Sequence, residues 1–312
     1  MSRLGFLISR AATALGVIVA TTALTHLSLR LLRPDAFPED DRPLPLALLD
    51  FLRTVFLQFD LGQAGSMSDR PVTEVMAQGL PADLSLLAGG IAAGVMGGVA
   101  AGTLCAARPR TLAARVVEVL VALALVAPVF WVGLMSILLF APGVGGPLSL
   151  PFFSEPGSYE PLTSDPLAWL GSLVVPWIVL GLPLAGLTAR MMRSSMAEVL
   201  DSEFLRTASA KGLSERRVLH RHALPAAATP VATIVGIYGA AVASNALLVE
   251  QVFGLPGILR GTLRASAIGD FELLQGLVIV SAALVVIGTF AADAIAGWLD
   301  PRVRDYASRG PR

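Results

Sequence analysis

Side chains that could bind charge or exchange protons are concentrated in one stretch, RTASAKGLSERRVLHRHALP (206–225). It contains the only lysine of the chain and two of its three histidines, and long apolar runs lie on both sides. Two interpretations fit this pattern. The basic residues could anchor the flanking helices in a membrane, or the stretch could be an amphipathic element that docks into a groove of a partner protein.

The turn signals within this stretch favour docking, because anchoring needs only charge. Ser202 could cap a short helix that runs to about Lys211, and Gly212 suits a left-handed turn. Ser214 could cap a second short helix, and Pro225 is a start signal for the next apolar helix. The exposed face is predicted to interleave basic and apolar side chains, namely Arg206, Lys211, Arg216, Arg217 and Arg221 with Leu213, Val218 and Leu219.

Catalytic and metal-binding motifs are absent from the sequence. It has no Walker A loop, no HExxH zinc motif and no Ser/His/Asp set, so we do not expect an enzyme. A single cysteine, Cys105, excludes an intrachain disulfide and any multi-cysteine metal site. A formal net charge of +0 gives no reason to expect nucleic-acid binding.

The elements that must position the basic stretch are membrane helices. Hydrophobic residues make up 54% of the chain and charged residues only 15%, against about 25% charged in soluble domains. Few aromatics with many Ala, Gly, Leu and Val residues indicate an all-α membrane protein rather than a β-barrel. Six stretches are long enough to span a bilayer, roughly 9–32, 83–107, 113–141, 167–189, 226–249 and 273–298.

The distribution of Lys and Arg predicts the orientation of these spans. With a cytoplasmic N-terminus, sixteen basic residues fall inside and six outside, so both termini are expected in the cytoplasm. The predicted organisation is an N-terminal segment with the first helix (1–32, a retained signal anchor), an extracytoplasmic segment (33–82), and a core with five transmembrane helices (83–312). The core includes a cytoplasmic loop at about 190–225, and an amphipathic surface helix is expected at 46–59.

Two features concern how the spans pack and what drives any transport. Gly90, Gly94, Gly98 and Gly102 recur every four residues, which predicts a close helix contact or a sliding interface, and Pro128 should kink the third span. Ion-coupled carriers usually have ionisable residues at the bilayer midplane. Here the ionisable residues of the spans are few, His26, Glu118 and Asp293 lie near span ends, and Asn245 is the most central polar side chain, so the energy source is expected elsewhere.

The basic stretch 206–225 resembles a segment of a known family, the permeases of ABC importers. Their signature is a Gly followed ten residues later by an apolar position, any residue, Leu and Pro; here Gly212, Leu224 and Pro225 fit, as does Ala208. His222 replaces the usual Ile and Arg206 the usual Glu. Both departures resemble the dipeptide/oligopeptide branch, as do RTASAKG (206–212) and RHAL (221–224).

The resemblance extends over most of the chain. Residues 61–86, APVFWVGL (127–134), VEQVFGLPGILRGTL (249–263) and LDPRVR (299–304) are similar to segments of that branch in the same order. One segment departs from it: LRPDAFPEDDRP (32–43) stands where the branch usually has a PGDP-like motif and a longer external segment.

The resemblance implies a type I ABC importer permease with six transmembrane helices in the cell inner membrane. The implied partners are membrane lipid, a second homologous permease, two ATP-binding subunits and an extracytoplasmic solute-binding protein. ATP and Mg would be bound by the partner subunits, and this chain would bind no cofactor. The implied ATPase-docking residues are Arg206, Thr207, Ala208, Lys211, Gly212, Leu213, Arg216, Arg217, Leu224 and Pro225; Phe253, Gly254, Pro256 and Gly257 would form an external gate or a contact with the binding protein.

Several functions stay open at this stage. The expected solutes are di- and oligopeptides, while nickel chelates, glutathione or another small solute are alternatives within the same family. A secondary carrier or channel that works without ATP is a further alternative, as is a structural membrane partner without a pathway of its own.

Overall fold

A computed structural model of the chain describes residues 3–33, 42–64, 70–142, 148, 150 and 153–299. The fold is built almost entirely from helices. They are α1 (Arg3–Leu32), α2 (Leu44–Leu57), α3 (Val72–Ala107), α4 (Leu112–Val126), α5 (Val129–Phe140), α6 (Pro166–Leu200), α7 (Glu203–Ala210), α8 (Glu215–Arg217), α9 (Leu224–Phe253), α10 (Ile258–Ile268) and α11 (Phe271–Leu299). A π-helical turn (Val218–Ala223) joins α8 to α9. Two short strands, β1 (Gln63–Ala64) and β2 (Arg70–Pro71), pair antiparallel.

The length and composition of these helices are those of a multi-pass membrane protein. Three are long and apolar enough to cross a bilayer: Ala11–Leu32, Val72–Ala107 and Pro166–Leu200. Two bent pairs pass the same test, α4 with α5 at 120° and the end of α9 with α10 at 68°, which gives up to five spans within the described residues. Phe271–Val286 is a shorter apolar helix at the place of the sixth predicted span.

The third predicted span, 113–141, is more than kinked. Ala127 and Pro128 both have extended backbone angles, with ψ near 130°, and separate α4 from α5. Proline lacks an N–H donor and disfavours helical angles in the residue before it, so both helices end at this dipeptide. The expected kink is therefore a complete break of the helix.

The centre of the fold is the contact between α3 and α6. Gly90, Gly94, Gly98 and Gly102 are all buried on the face of α3 that meets α6. A Cβ at Gly98 would lie 2.7 Å from the Ala185 carbonyl oxygen, so the two backbones approach more closely than larger residues would permit. By contrast, a Cβ at Gly97 would meet nothing within 4 Å.

The segment predicted as 33–82 is partly helical. Helix α2 occupies Leu44–Leu57, close to the predicted 46–59, and contacts α1, where the ring of Phe51 stacks on His26 at 4.3 Å. Helix α3 begins at Val72, eleven residues before the predicted start of its span. The side chain of Asp293 and the segment 300–304 lie outside the described residues.

Candidate functional site

The first half of the basic stretch is helix α7. Its predicted cap is wrong, because the Ser202 hydroxyl donates to the Val199 carbonyl of α6 instead of accepting from α7. The backbone carbonyl of Ser202 accepts from Leu205 N at 3.2 Å. Glu203 lies in the first turn, where a negative charge is favourable, and pairs with Arg206 at 2.7 Å.

Helix α7 ends in a tight turn at Gly212. This glycine has φ +82°, which confirms the left-handed conformation predicted from the sequence, and a Cβ there would meet nothing within 4 Å. A left-handed residue with a side chain costs about 1–2 kcal/mol more than glycine. Gly212 is therefore needed for the backbone direction of the turn rather than for a packing contact inside this chain.

The second half of the stretch differs from the prediction. Ser214 precedes α8 in an extended conformation, but its side chain makes no capping hydrogen bond. Instead of stopping before Pro225, the helix continues through the π-helical turn into α9, and Leu224 N bonds to Leu219 O five residues back. Pro225 lies in the first turn of α9, a position that tolerates a proline although it has no N–H to donate.

The apolar side chains of the stretch point into the protein, which corrects the predicted face. Val218 is buried, and Leu213 and Leu219 are partly buried. They belong to a cluster with Leu205 on α7 and Met192 on α6. This cluster fixes α7, α8 and the π turn against the end of α6. The two short helices are therefore packed against the protein and do not form a free surface loop.

The exposed face of this stretch is basic. Arg206, Lys211, Arg216, Arg217 and Arg221 are all exposed. Phe204, which the sequence analysis did not select, is 50% exposed on α7. It shares one side of the helix with Thr207 and Lys211, three and seven residues later, and this spacing could have identified it. We call this set of exposed residues on 204–221 the basic platform.

An open cavity of about 780 Å³ lies between the basic platform and the end of α3. Its lining combines apolar walls with charged residues, including Ala107, Arg108, Leu205, Arg206, Glu215 and Arg216. Such a cavity with a cationic rim can accept an acidic and partly apolar surface of another protein.

The second predicted region, residues 253–257, joins α9 to α10, and we call it the Gly-Pro turn. Phe253 is buried and packs edge-to-face on Phe153, with ring centroids 6.3 Å apart. Gly254 ends α9 with φ +70°, and a Cβ there would lie 2.9 Å from the Gly157 nitrogen. Of the four predicted residues, only Pro256 is exposed; Phe253 and Gly257 are buried. Phe253 and Gly257 therefore form the interior of the turn and offer no surface to another protein.

Two acidic side chains that sequence reasoning missed hold the Gly-Pro turn in place. Asp83 of α3 accepts a hydrogen bond from Ile258 N at 2.9 Å, and Glu250 of α9 accepts one from Arg260 N at 2.8 Å. Gly257 precedes α10 but has no side chain to cap it, so these carboxyl groups do so from two other helices. We call them the carboxyl pair. The available signal was their place at the borders of predicted spans, where an acidic residue needs a partner.

The basic platform and the Gly-Pro turn lie at opposite ends of α3. Asp83 contacts the turn, and Ala107, twenty-four residues later, lines the cavity beside the platform. At 1.5 Å per residue these positions are about 36 Å apart along the helix. The hydrocarbon core of a bilayer is about 30 Å thick. The helix is therefore long enough to place the two regions on the two surfaces of a membrane.

These features define a multi-pass membrane protein, and comparisons with known proteins place it in a transport system. The chain belongs to the family of binding-protein-dependent transport system inner membrane components, which matches residues 98–305. The matched range includes both the basic platform and the Gly-Pro turn. The predicted resemblance to ABC importer permeases of the dipeptide-permease B type is thereby confirmed.

Individual relatives are named as peptide permeases. A candidate peptide transport system permease protein of Brucella abortus is 32% identical over 325 residues, covering 96% of this chain and 98% of the relative. The dipeptide transport system permease protein DppB of Haemophilus influenzae is 38% identical over 190 residues, 57% of each chain. The oligopeptide transport system permease protein AppB of Bacillus subtilis is 31% identical over 250 residues, 79% of this chain and 77% of the relative.

Proposed function

We propose that this chain is the permease subunit of an ATP-driven ABC importer for di- or oligopeptides. In this proposal it has six transmembrane helices with both termini in the cytoplasm, and α4 with α5 together form one span. A second homologous permease completes the pathway, and a solute-binding protein delivers the solute from outside. The strongest support is the distance between the two regions. The basic platform, which packs against the protein interior, and the Gly-Pro turn are separated along α3 by a length that can cross a membrane.

The basic platform is proposed as the docking site for an ATP-binding subunit. The apolar residues beneath the basic platform pack against α6. A force applied to the exposed side of α7 would therefore move α6 with it. Its exposed residues supply a cationic rim and one aromatic ring, the residue types that dominate protein interfaces. ATP binding to the partner subunits would then bias the permease between inward- and outward-facing states. The chain itself would hydrolyse no ATP.

The Gly-Pro turn is proposed as part of the external gate. It is tied to α3 and α9 by buried hydrogen bonds, so movement of either helix would be transmitted to α10. Within this turn, exposed Pro256 is the residue suited to contact the binding protein.

Peptides are the preferred solutes because the relatives' names specify peptide, dipeptide and oligopeptide transport. Nickel chelates, glutathione and other small solutes are the alternatives within the same mechanism. A carrier driven by an ion gradient is the alternative outside it.

The experiment is uptake of labelled di- and oligopeptides by cells that express the complete transport system. Uptake should stop when ATP is depleted at a constant ion gradient, and it should continue when the gradient is dissipated at constant ATP. The reverse pattern would support a secondary carrier.

A matched pair of glycine substitutions tests the role of the platform. Gly212→Val and Gly269→Val place the same side chain at two left-handed glycines, φ +82° and +75°, that each have nothing within 4 Å. Both should cost about 1–2 kcal/mol of stability. Gly212→Val should reduce uptake much more than Gly269→Val at equal membrane levels. Parallel losses of uptake and membrane protein in Gly212→Val would argue against docking at this turn.

A further inference from the structure

The carboxyl pair has more oxygen atoms than the described residues supply with hydrogen-bond donors. Asp83 and Glu250 are each 1% exposed, and each uses one oxygen to accept a backbone N–H of α10. The other oxygens, Asp83 Oδ1 and Glu250 Oε1, are buried and have no hydrogen-bond partner among the described residues. Leaving such atoms unsatisfied is costly, so each requires a donor.

The two carboxyl groups are also close to each other. They face each other across Gly257, where an added methyl group would overlap an oxygen of both side chains. The same added methyl carbon would touch both Asp83 Oδ1 and Glu250 Oε2, so these two oxygens lie side by side over the glycine. Two carboxylates at such a separation repel strongly if both are ionised, and a single proton held between them removes one charge and supplies a donor.

The neighbouring charged groups fit a pair with one negative charge. The backbone N–H of Arg260 donates to Glu250 at 2.8 Å, and its side-chain Nη1 donates to the Leu255 carbonyl at 3.4 Å. Arg264 lines the adjacent cavity with Arg260 but is exposed, so water solvates its charge. Tyr159 lies in the loop near Asp83, and burial raises the pKa of its phenol above the ordinary value of 10.0, so it stays neutral. One shared proton would thus leave one carboxylate charge to balance Arg260.

We propose that Asp83 and Glu250 bind one proton between them and that this protonated pair holds α10 against α3 and α9. The bound ligand is a proton, and the site is distinct from the basic platform at the other end of α3. Its consequence is mechanical: α10 separates from α3 and α9 only when both capping hydrogen bonds break. The proposal concerns the chain alone and does not depend on which solute is transported.

Infrared spectroscopy of the purified chain tests the proton directly, because a protonated carboxyl group absorbs apart from ionised carboxylates. The difference between the native chain and the Asp83→Asn variant should contain one carboxylic-acid band. The same band should be lost in Glu250→Gln. If neither variant changes the carboxylic-acid region, the pair is not protonated and the proposal is wrong.

Cysteine labelling tests whether the pair holds α10. A reporter is made by Ala265→Cys, at a fully buried position of α10, in a Cys105→Ala background. A membrane-impermeant maleimide should label this reporter slowly in the otherwise native chain and equally slowly with Asp83→Asn, since the amide accepts from Ile258 N and donates to Glu250. Asp83→Ala should label roughly tenfold faster, as expected when one buried hydrogen bond is lost.

Each other labelling result would count against the proposal. Equal protection in Asp83→Ala would mean that the carboxyl pair does not hold α10. Labelling of Asp83→Asn as fast as that of Asp83→Ala would mean that the site requires an ionised Asp83. Because Asp83→Ala could impair folding, Glu250→Gln serves as the second variant: it should label as slowly as the native chain.

Discussion

Gly257 in the Gly-Pro turn and Gly212 in the turn beside the basic platform show how differently the two candidate functional regions are built. Around Gly257, both carboxyl groups of Asp83 and Glu250 are so close that no Cβ fits. Around Gly212, a Cβ would meet no atom within 4 Å. The first glycine is required by contacts inside the chain, whereas the second is required only by its backbone angle.

The same difference extends to the charges of the two regions. The acidic groups of the Gly-Pro turn are buried and used by backbone amides of α10. The cations of the basic platform are exposed, and the ion pair between Arg206 and Glu203 is exposed as well. A region whose acidic groups bind backbone amides of the same chain can move as part of the permease. A region with exposed cations on a firmly packed base is suited to bind a partner.

The strongest test of this comparison is to add one methyl group at each of the two glycines. Gly257→Ala should destabilise the chain by about 3 kcal/mol, because the methyl displaces two buried carboxyl groups and the start of α10. Gly212→Ala should cost about 1 kcal/mol, from backbone strain alone. Thermal unfolding of the two purified variants measures the difference. Similar melting temperatures would contradict the proposed contrast between the two glycines.

A smaller loss of stability is expected at the contact between α3 and α6, which lies between the two regions. Gly98→Ala should destabilise by about 2 kcal/mol, since its methyl would approach the Ala185 carbonyl and the Thr188 side chain. Gly97→Ala is the matched control because its methyl would enter open space, and helix propensity then favours alanine. Unfolding that is equally affected by both substitutions would exclude close packing as the role of the glycine face.

The smallest change in stability is expected on the platform, where the effect should fall on binding. Phe204→Ala removes a half-exposed ring, so stability should change by no more than about 0.5 kcal/mol. Affinity for the ATP-binding subunit should nevertheless fall about tenfold, as for an aromatic residue at an interface. Leu205→Ala, next to it but buried, should instead cost about 3 kcal/mol of stability. Unchanged affinity in Phe204→Ala would remove this ring from the proposed interface.

Local signals in the sequence were sufficient for several parts of this structure. The left-handed Gly212, the amphipathic α2 and the regularly spaced glycines of α3 each depend on a few neighbouring residues. The outward placement of Leu213, Val218 and Leu219 was wrong because it treated the loop as a free helix. Their burial depends on Met192 and Met196 of α6. These become neighbours only when the chain after α6 folds back onto that helix.

The carboxyl pair could not be predicted for a related reason. Asp83 and Glu250 are far apart in the sequence, and each alone reads as an acidic residue at the border of an apolar run. Only the fold brings Asp83 to the Ile258 amide and Glu250 to the Arg260 amide, both in the first turn of α10. In the same way, Pro128 indicates an interruption of the third span, but the 120° angle between α4 and α5 is set by what the two helices pack against.

The most direct test of the central claim is recovery of partner subunits with the tagged chain after gentle solubilisation of its native membrane. The native chain should recover a second permease and ATP-binding subunits. Arg216→Glu with Arg217→Glu, which reverses two exposed charges of the platform, should lose the ATP-binding subunits and retain the permease. Arg110→Glu, an exposed basic residue outside the platform, should recover both. Full recovery of ATP-binding subunits by the double variant would contradict docking at the basic platform.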